Sequence, residues 1–212
     1  MIILIGGEKG GTGKTTIATN LAQMRTTRGI DCLLIDTDHQ ESSSLWASTR
    51  EENKIQPRVN CIQKRGKTIA NDILDLSKRY NDIIIDAGGR DSQELRASLV
   101  CADIIIIPIQ ASQFDLWTLN TMEELISSAK IYNQKLKAFC VLNRGSTNPS
   151  VSEANEAKEL LQELSEIEFS NILLKDRISY RKAVSLGQGV EEMKPADPKA
   201  KDEIEALYNF IF

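Results

Sequence analysis

The octet Lys9-Gly10-Gly11-Thr12-Gly13-Lys14-Thr15-Thr16 stands directly behind the apolar run Ile2-Ile3-Leu4-Ile5. A short buried strand, a glycine-rich turn and a helix opening at once behind it bring backbone N–H groups together on a phosphate. The positive end of the helix adds to that attraction. In such a loop Lys14 reaches the terminal phosphates as a mobile charge, and the Thr15 hydroxyl sits on Mg²⁺. Residues 9–16 therefore predict a site for a nucleoside triphosphate, with Gly10, Gly11, Thr12, Gly13 and Thr16 completing the cradle.

The loop departs from the standard pattern in one place. Glycine is expected six residues before the loop lysine, and Glu8 stands there instead, followed by an additional lysine, Lys9. A loop already served by Lys14 has no geometric need of a second lysine so near. The octet resembles the deviant Walker A motif of the ParA/MinD ATPases, in which the early lysine reaches across a dimer to the partner's nucleotide. A solvated surface lysine is the plainer alternative for Lys9.

Outward from the octet, apolar runs rich in β-branched residues alternate with longer amphipathic segments. Strands are expected over 2–5, 32–36, 58–63, 82–86, 103–108, 137–143 and 168–173. Helices are expected over 14–28, 41–52, 67–79, 91–100, 115–132, 151–165, 178–187 and 199–211. Several strands are unbroken Ile, Leu and Val runs, the pattern of strands buried on both faces of a parallel sheet. Gly29 suits a left-handed cap closing the first helix. The alternation predicts an α/β fold, a doubly wound, mostly parallel sheet with helices on both faces, of P-loop NTPase type. At 212 residues the chain fits one domain, 1–212, with 145–149 its longest expected loop.

Ligands of open α/β sheets gather at the carboxyl ends of the strands. Asp86 ends Ile83-Ile84-Ile85 and precedes Ala87-Gly88-Gly89, which suits a Walker B carboxylate holding Mg²⁺ through water; a turn or cap aspartate is the bland alternative. Asp36-Thr37-Asp38-His39-Gln40 closely resembles the Asp-x-Asp-Pro-Gln switch segment of the ParA/MinD family. That resemblance puts Asp36 in the magnesium shell and gives Asp38 the attacking water. His39 occupies the usual proline position, which frees the backbone there. Ala87-Gly88-Gly89-Arg90-Asp91 would be a second switch, Arg90 being either a dimer contact or an exposed charge. The resemblance also assigns adenine reading to Asn143, whose amide offers both a donor and an acceptor, with a simple turn asparagine as the alternative.

Composition bounds the partners. Hydrophobic content of 41% and charged content of 26% are those of an ordinary globular protein, and the net charge of −4 argues against coating nucleic acid with the whole surface. Cys32, Cys61, Cys101 and Cys140 are scattered in or beside apolar stretches without a Cys-x-x-Cys pair, which disfavours zinc or an iron–sulfur cluster. A core strand at the very start and the lack of a long apolar run predict a cytoplasmic protein.

The motifs keep the family's order over about two-thirds of the chain. The chain is similar to small ParA-type partition ATPases without an N-terminal DNA-reading domain. The resemblance implies slow, partner-stimulated hydrolysis of ATP with Mg²⁺ in a homodimer that sandwiches two nucleotides. It further implies nonspecific DNA binding by the ATP dimer, location on the nucleoid, and release by a cargo-bound adaptor or centromere-binding protein. Lys175, Arg177, Arg181 and Lys182 form the cationic cluster that could meet DNA phosphates, or else an ordinary solvated face. Competing readings are positioning of another cargo, MinD-like positioning on membrane, and a small-molecule kinase or ligase. The acidic tail 202–212 disfavours membrane, and Lys9 has no evident use in a metabolic enzyme. In the helix over 115–132, Trp117, Leu119 and Met122 read as core, with a partner surface as the alternative.

Overall fold

The computed structural model describes residues 1–89, 91–110, 113–147 and 164–212, with the side chains of 113–117 also left aside. Seven strands are described: β1 (Ile2–Gly7), β2 (Cys32–Asp36), β3 (Asn60–Gln63), β4 (Asp82–Gly89), β5 (Ile104–Ile109), β6 (Lys137–Gly145) and β7 (Glu168–Lys175). The described helices are α1 (Lys14–Thr27), α2 (Ser42–Glu52), α3 (Ile69–Leu76), α4 (Gln93–Cys101), α5 (Gln113–Lys130), α6 (Ile178–Ser185) and α7 (Pro198–Ile211). A single 3₁₀ turn at Val190–Glu192 was not expected from sequence. The helix expected over 151–165 lies almost wholly outside the described residues, as do Arg90, the Trp117 side chain and the loop from 148.

The strands form one parallel sheet in the order β3-β2-β4-β1-β5-β6-β7. Successive side chains of a strand point to opposite faces, and both faces here are covered. Ile2 and Leu4 of β1, with Leu33, Ile83 and Ile105 of its neighbours, pack under α3, α4 and α5. Ile3 and Ile5, with Leu34, Ile84 and Ile106, pack under α1, α2, α6 and α7. Leu119 and Met122 of α5 are buried in the first of these layers, so that helix spends them on the core. The continuous Ile runs are thus read by both layers at once.

Five strands, β1, β4, β5, β6 and β7, run past their expected ends. β4 continues to Gly89 and β6 to Gly145, so Gly88 and Gly89 are strand residues, with Gly89 in register with Gly7. α1 ends where expected, with Gly29 at φ +77° donating its N–H to Thr26. Cys32, Cys101 and Cys140 are buried and Cys61 is half-buried. Burial pushes Cys32, Cys61 and Cys101 up to about 12, which makes them inert.

Candidate nucleotide site

The central strand β1 delivers the glycine-rich loop to the carboxyl edge of the sheet. Gly13 begins α1 at φ +95°, where a side chain would meet the Asn143 amide nitrogen at 2.1 Å, so glycine is required on both counts. The start of α1 carries no side-chain cap and no acidic residue in its first turn. Its first amides therefore have no side-chain cap of their own and are left to face an anion in the cleft.

The Lys14 ammonium donates to the Lys9 carbonyl at 2.8 Å, closing the loop on itself. Burial lowers the Lys14 pKa from its ordinary value, against the opposing pull of Asp86 and Asp38. Lys14 therefore lies within electrostatic reach of both carboxylates predicted to share its site. The cleft has a volume of about 680 Å³, and Lys14, Thr15, Asp38, Gly89 and Arg144 are among its walls. His39 also borders it and is exposed.

Sheet register explains the acidic pair. Asp36 and Asp86 are direct partners on adjacent parallel strands, although 50 positions separate them in sequence. Both are buried, at 0% and 1% exposure, so each carboxylate must be held by donors from outside the strands. Asp36 accepts from the Asp38 and Ser44 backbone amides at 3.1 and 2.8 Å. Asp86 Oδ2 accepts from the Thr15 hydroxyl at 2.8 Å and the Ser43 hydroxyl at 2.7 Å, while its Oδ1 is buried without a partner. Burial pushes the Asp86 carboxyl up to about 7; Asp36 adds repulsion, and the two hydroxyls and Lys14 oppose the shift.

This donor set consists of hard oxygen ligands with one unsatisfied carboxylate oxygen at its centre, and it fits Mg²⁺. Among the described residues no cluster of three or more His, Cys, Asp or Glu could hold a metal unaided. Mg²⁺ ordinarily takes one or two carboxylates and completes its shell with water and substrate phosphates, so the two findings agree.

The structure gathers Gly10, Gly11, Gly13, Lys14, Thr15, Thr16 and Asp38 on one cleft, with Asp36 and Asp86 at its base. Two sequence expectations fare differently. Asn143 is buried beneath the loop and donates to the Thr12 carbonyl at 2.6 Å, so it braces the loop while its neighbour Arg144 lines the cleft. The cationic cluster loses a member. Arg177 precedes α6 and forms a forked pair with Glu203 of α7 at 2.6–3.1 Å, which neutralises it and draws it away from solvent. Arg181 and Lys182 are exposed, Lys175 is half-buried, and Arg181 faces Asp176 only at 3.8 Å.

Ser43 and Ser44 went unread in the sequence. Within Ser42-Ser43-Ser44 nothing local says which hydroxyl turns inward; only the docking of α2 on the sheet, which brings Ser43 onto Asp86, decides it.

With this geometry the comparisons become informative. A sequence profile of the CobQ/CobB/MinD/ParA nucleotide binding domain matches residues 3–190. The chain belongs to that family. The maintenance of carboxysome distribution protein A of Halothiobacillus neapolitanus is 27% identical to it over 210 residues, 99% of this chain and 95% of the relative. An ATP complex of McdA from Cyanothece superposes with a TM-score of 0.73 at 18% identity, covering 99% of this chain and 95% of that one. MinD of Pyrococcus horikoshii complexed with Mg-ADP superposes with a TM-score of 0.74 at 17% identity, covering 99% and 95%. At such identities the superpositions speak to the fold, and the profile speaks to the family. The parallel sheet and the site at its carboxyl edge are accordingly those of a P-loop NTPase of the MinD/ParA kind. Among the described residues no helix is long and apolar enough to cross a membrane.

Proposed function

We propose that the protein is a positioning ATPase: it binds ATP with Mg²⁺, closes into a dimer around the nucleotides, and resets on hydrolysis. The observation that carries this reading is the convergence of Lys14, Asp38, Asp36 and Asp86 on one cleft at the mouth of an uncapped helix. Amides of residues 10–16 and the α1 N-terminus hold the phosphates, and Lys14 neutralises charge as it builds on them. Thr15, with Asp86 and Asp36 behind it, would hold Mg²⁺, which when bound supplies charge neutralisation between the phosphates. Asp38 orients the attacking water and takes its proton. Asn143 keeps the loop in place through Thr12. Lys9, at the mouth of the loop, reaches the partner's nucleotide in the dimer.

In this reading the ATP dimer binds DNA without sequence preference through Lys175, Arg181 and Lys182. It is released when an adaptor on the cargo stimulates hydrolysis. Plasmid or chromosome partition is one cargo class. A protein assembly is the second, favoured by the end-to-end match to a carboxysome distribution protein. Membrane positioning is disfavoured, because α7 buries Ile204, Leu207, Tyr208 and Ile211 against the sheet.

The test measures ATP turnover and sedimentation with ATP, with ADP and without nucleotide. The expected outcome is a dimer with ATP alone, slow turnover, and turnover reduced roughly 10²-fold or more in Asp38→Ala with ATP still bound. A monomer under all conditions, or an Asp38→Ala protein that turns over ATP normally, sinks the reading.

A further inference from the structure

The segment that follows β3 touches the site from a side that neither the loop nor the acidic pair accounts for. Three consecutive residues grip three parts of it. The Lys64 amide donates to the Asp36 carbonyl at 3.0 Å and continues the β2–β3 ladder past its end. The Arg65 guanidinium reaches over the next turn, its Nη2 donating to the Asp38 carbonyl at 3.0 Å and to Glu41 Oε1 at 2.8 Å. The Gly66 amide donates to Glu94 Oε1 of α4 at 3.0 Å. The backbone that carries Arg65 is thus fixed on both sides.

The turn so gripped needs holding. Glu41 sits at φ +55°, a left-handed conformation that costs a residue with a Cβ free energy, and it does so immediately before α2. Its exposed carboxylate is drawn below its ordinary value, first by the hydrogen bond from Arg65 and then by Gln63. Within the same turn Asp38 Oδ1 accepts the Gln40 amide at 3.0 Å. The Asp38 carboxyl packs toward β4, so close that a side chain at Gly88 would meet its carbon at 3.3 Å. Removal of Arg65 releases both ends of a strained turn, 38 and 41, together. The Arg65 Nε is buried and unpaired, so the guanidinium is drawn into this position for what its Nη2 reaches.

We infer that Arg65 is a positioning residue for Asp38: it clamps the 38–41 turn so that the Asp38 carboxylate faces the cleft beside Gly88. The inference rests on the hydrolytic reading above. Arg65 lies outside the walls of the cleft, so it acts on the rate of the chemical step and not on nucleotide affinity. A group that only supports the fold would lower stability and binding together.

The experiment is single-turnover hydrolysis of Mg-ATP with protein in excess, beside equilibrium binding of ATP and the urea unfolding midpoint. Wild type, Arg65→Met and Arg65→Lys are compared, with Asp38→Ala as the control for loss of water activation. Arg65→Met is expected to slow hydrolysis at least tenfold with ATP affinity within twofold. Arg65→Lys, whose ammonium can donate to both oxygens as the single Nη2 does, is expected to recover to within about threefold of wild type. Hydrolysis within twofold of wild type in Arg65→Met, or equal losses of rate and affinity, or no recovery in Arg65→Lys, overturns the inference. Absence of turnover in the wild-type protein overturns the hydrolytic reading, and this inference with it. Wild-type turnover that Asp38→Ala abolishes and Arg65→Met leaves intact overturns this inference alone.

Discussion

Asp86 holds two hydroxyls on one carboxylate oxygen and no partner on the other, in a site shared with a second buried carboxylate. The fold therefore favours the protonated acid, with a pKa of about 7 against an unfolded value near 3.8. Between those values the folded chain keeps a proton that the unfolded chain has released, so stability falls as pH rises through the window and levels off above it. For the nucleotide-free protein, Asp86→Asn is expected to flatten that part of the stability–pH curve. It is also expected to raise stability at pH 8 by an amount on the order of a few kcal/mol, read by urea unfolding at pH 5 and 8. A slope unchanged in the variant would place the proton elsewhere. A second single-residue expectation concerns Gly89, where a Cβ would meet the Gly10 amide nitrogen at 2.8 Å. Gly89→Ala must push the loop away from β4, so ATP affinity should fall at least tenfold while the unfolding midpoint moves little. Equal ATP binding in the variant would show that the loop yields freely.

At the scale of elements, the helix that supplies Ser43 and Ser44 is tied down far from the cleft. Arg50 of α2, 1% exposed, donates to the Pro57 carbonyl, to Gly187 and to both oxygens of Glu192 at 2.8–3.0 Å. Trp46 donates its indole N–H to the Gln188 carbonyl at 3.1 Å, so α2 is bolted to the segment between α6 and α7. Arg50→Met removes a buried charge and leaves the half-buried Glu192 carboxylate without its partner. Breaking such a pair ordinarily costs about 3–5 kcal/mol, and urea unfolding should show a loss of that order. A loss under about 1 kcal/mol would mean that Glu192 escapes to solvent. These ties also mark what the sequence conveyed and what it did not. Local order sufficed for the loop, for the strand–helix alternation and for the carboxylates at strand ends, because each signal spans only a few residues. The Asp36–Asp86 pairing, the inward turn of Ser43 and the reach of Arg65 depend on which strands become neighbours, which no local pattern states. The same holds for Arg177, read as a free cation because its partner Glu203 lies 26 residues on, in a different helix.

For the whole molecule the proposed DNA binding has to work with a net charge of −4. Within the proposed cluster one protomer offers two exposed cations, Arg181 and Lys182, beside the half-buried Lys175, with Arg177 already neutralised. Two or three phosphate contacts bind too weakly to matter at moderate salt. Pairing two protomers doubles the number and adds their free energies on one duplex, so binding by the dimer should greatly exceed binding by the monomer. On the proposed function, nucleotide would then control DNA affinity without moving any side chain of the patch, simply by controlling dimerisation. On this argument Lys9→Ala, expected to bind ATP but not to dimerise, keeps only the weak binding of a monomer although Lys9 lies outside the proposed cluster. The triple variant Lys175→Ala, Arg181→Ala, Lys182→Ala keeps the dimer and loses the contacts. For a wild-type ATP dimer with four to six contacts, log affinity should fall with log salt at a slope of about −4 to −5. The triple variant should approach zero slope, and Lys9→Ala should fall to about half the wild-type value. A triple variant with the wild-type slope would move the DNA surface elsewhere. A Lys9→Ala protein that dimerises with ATP would instead remove the lysine from the dimer contact and return it to the solvated surface.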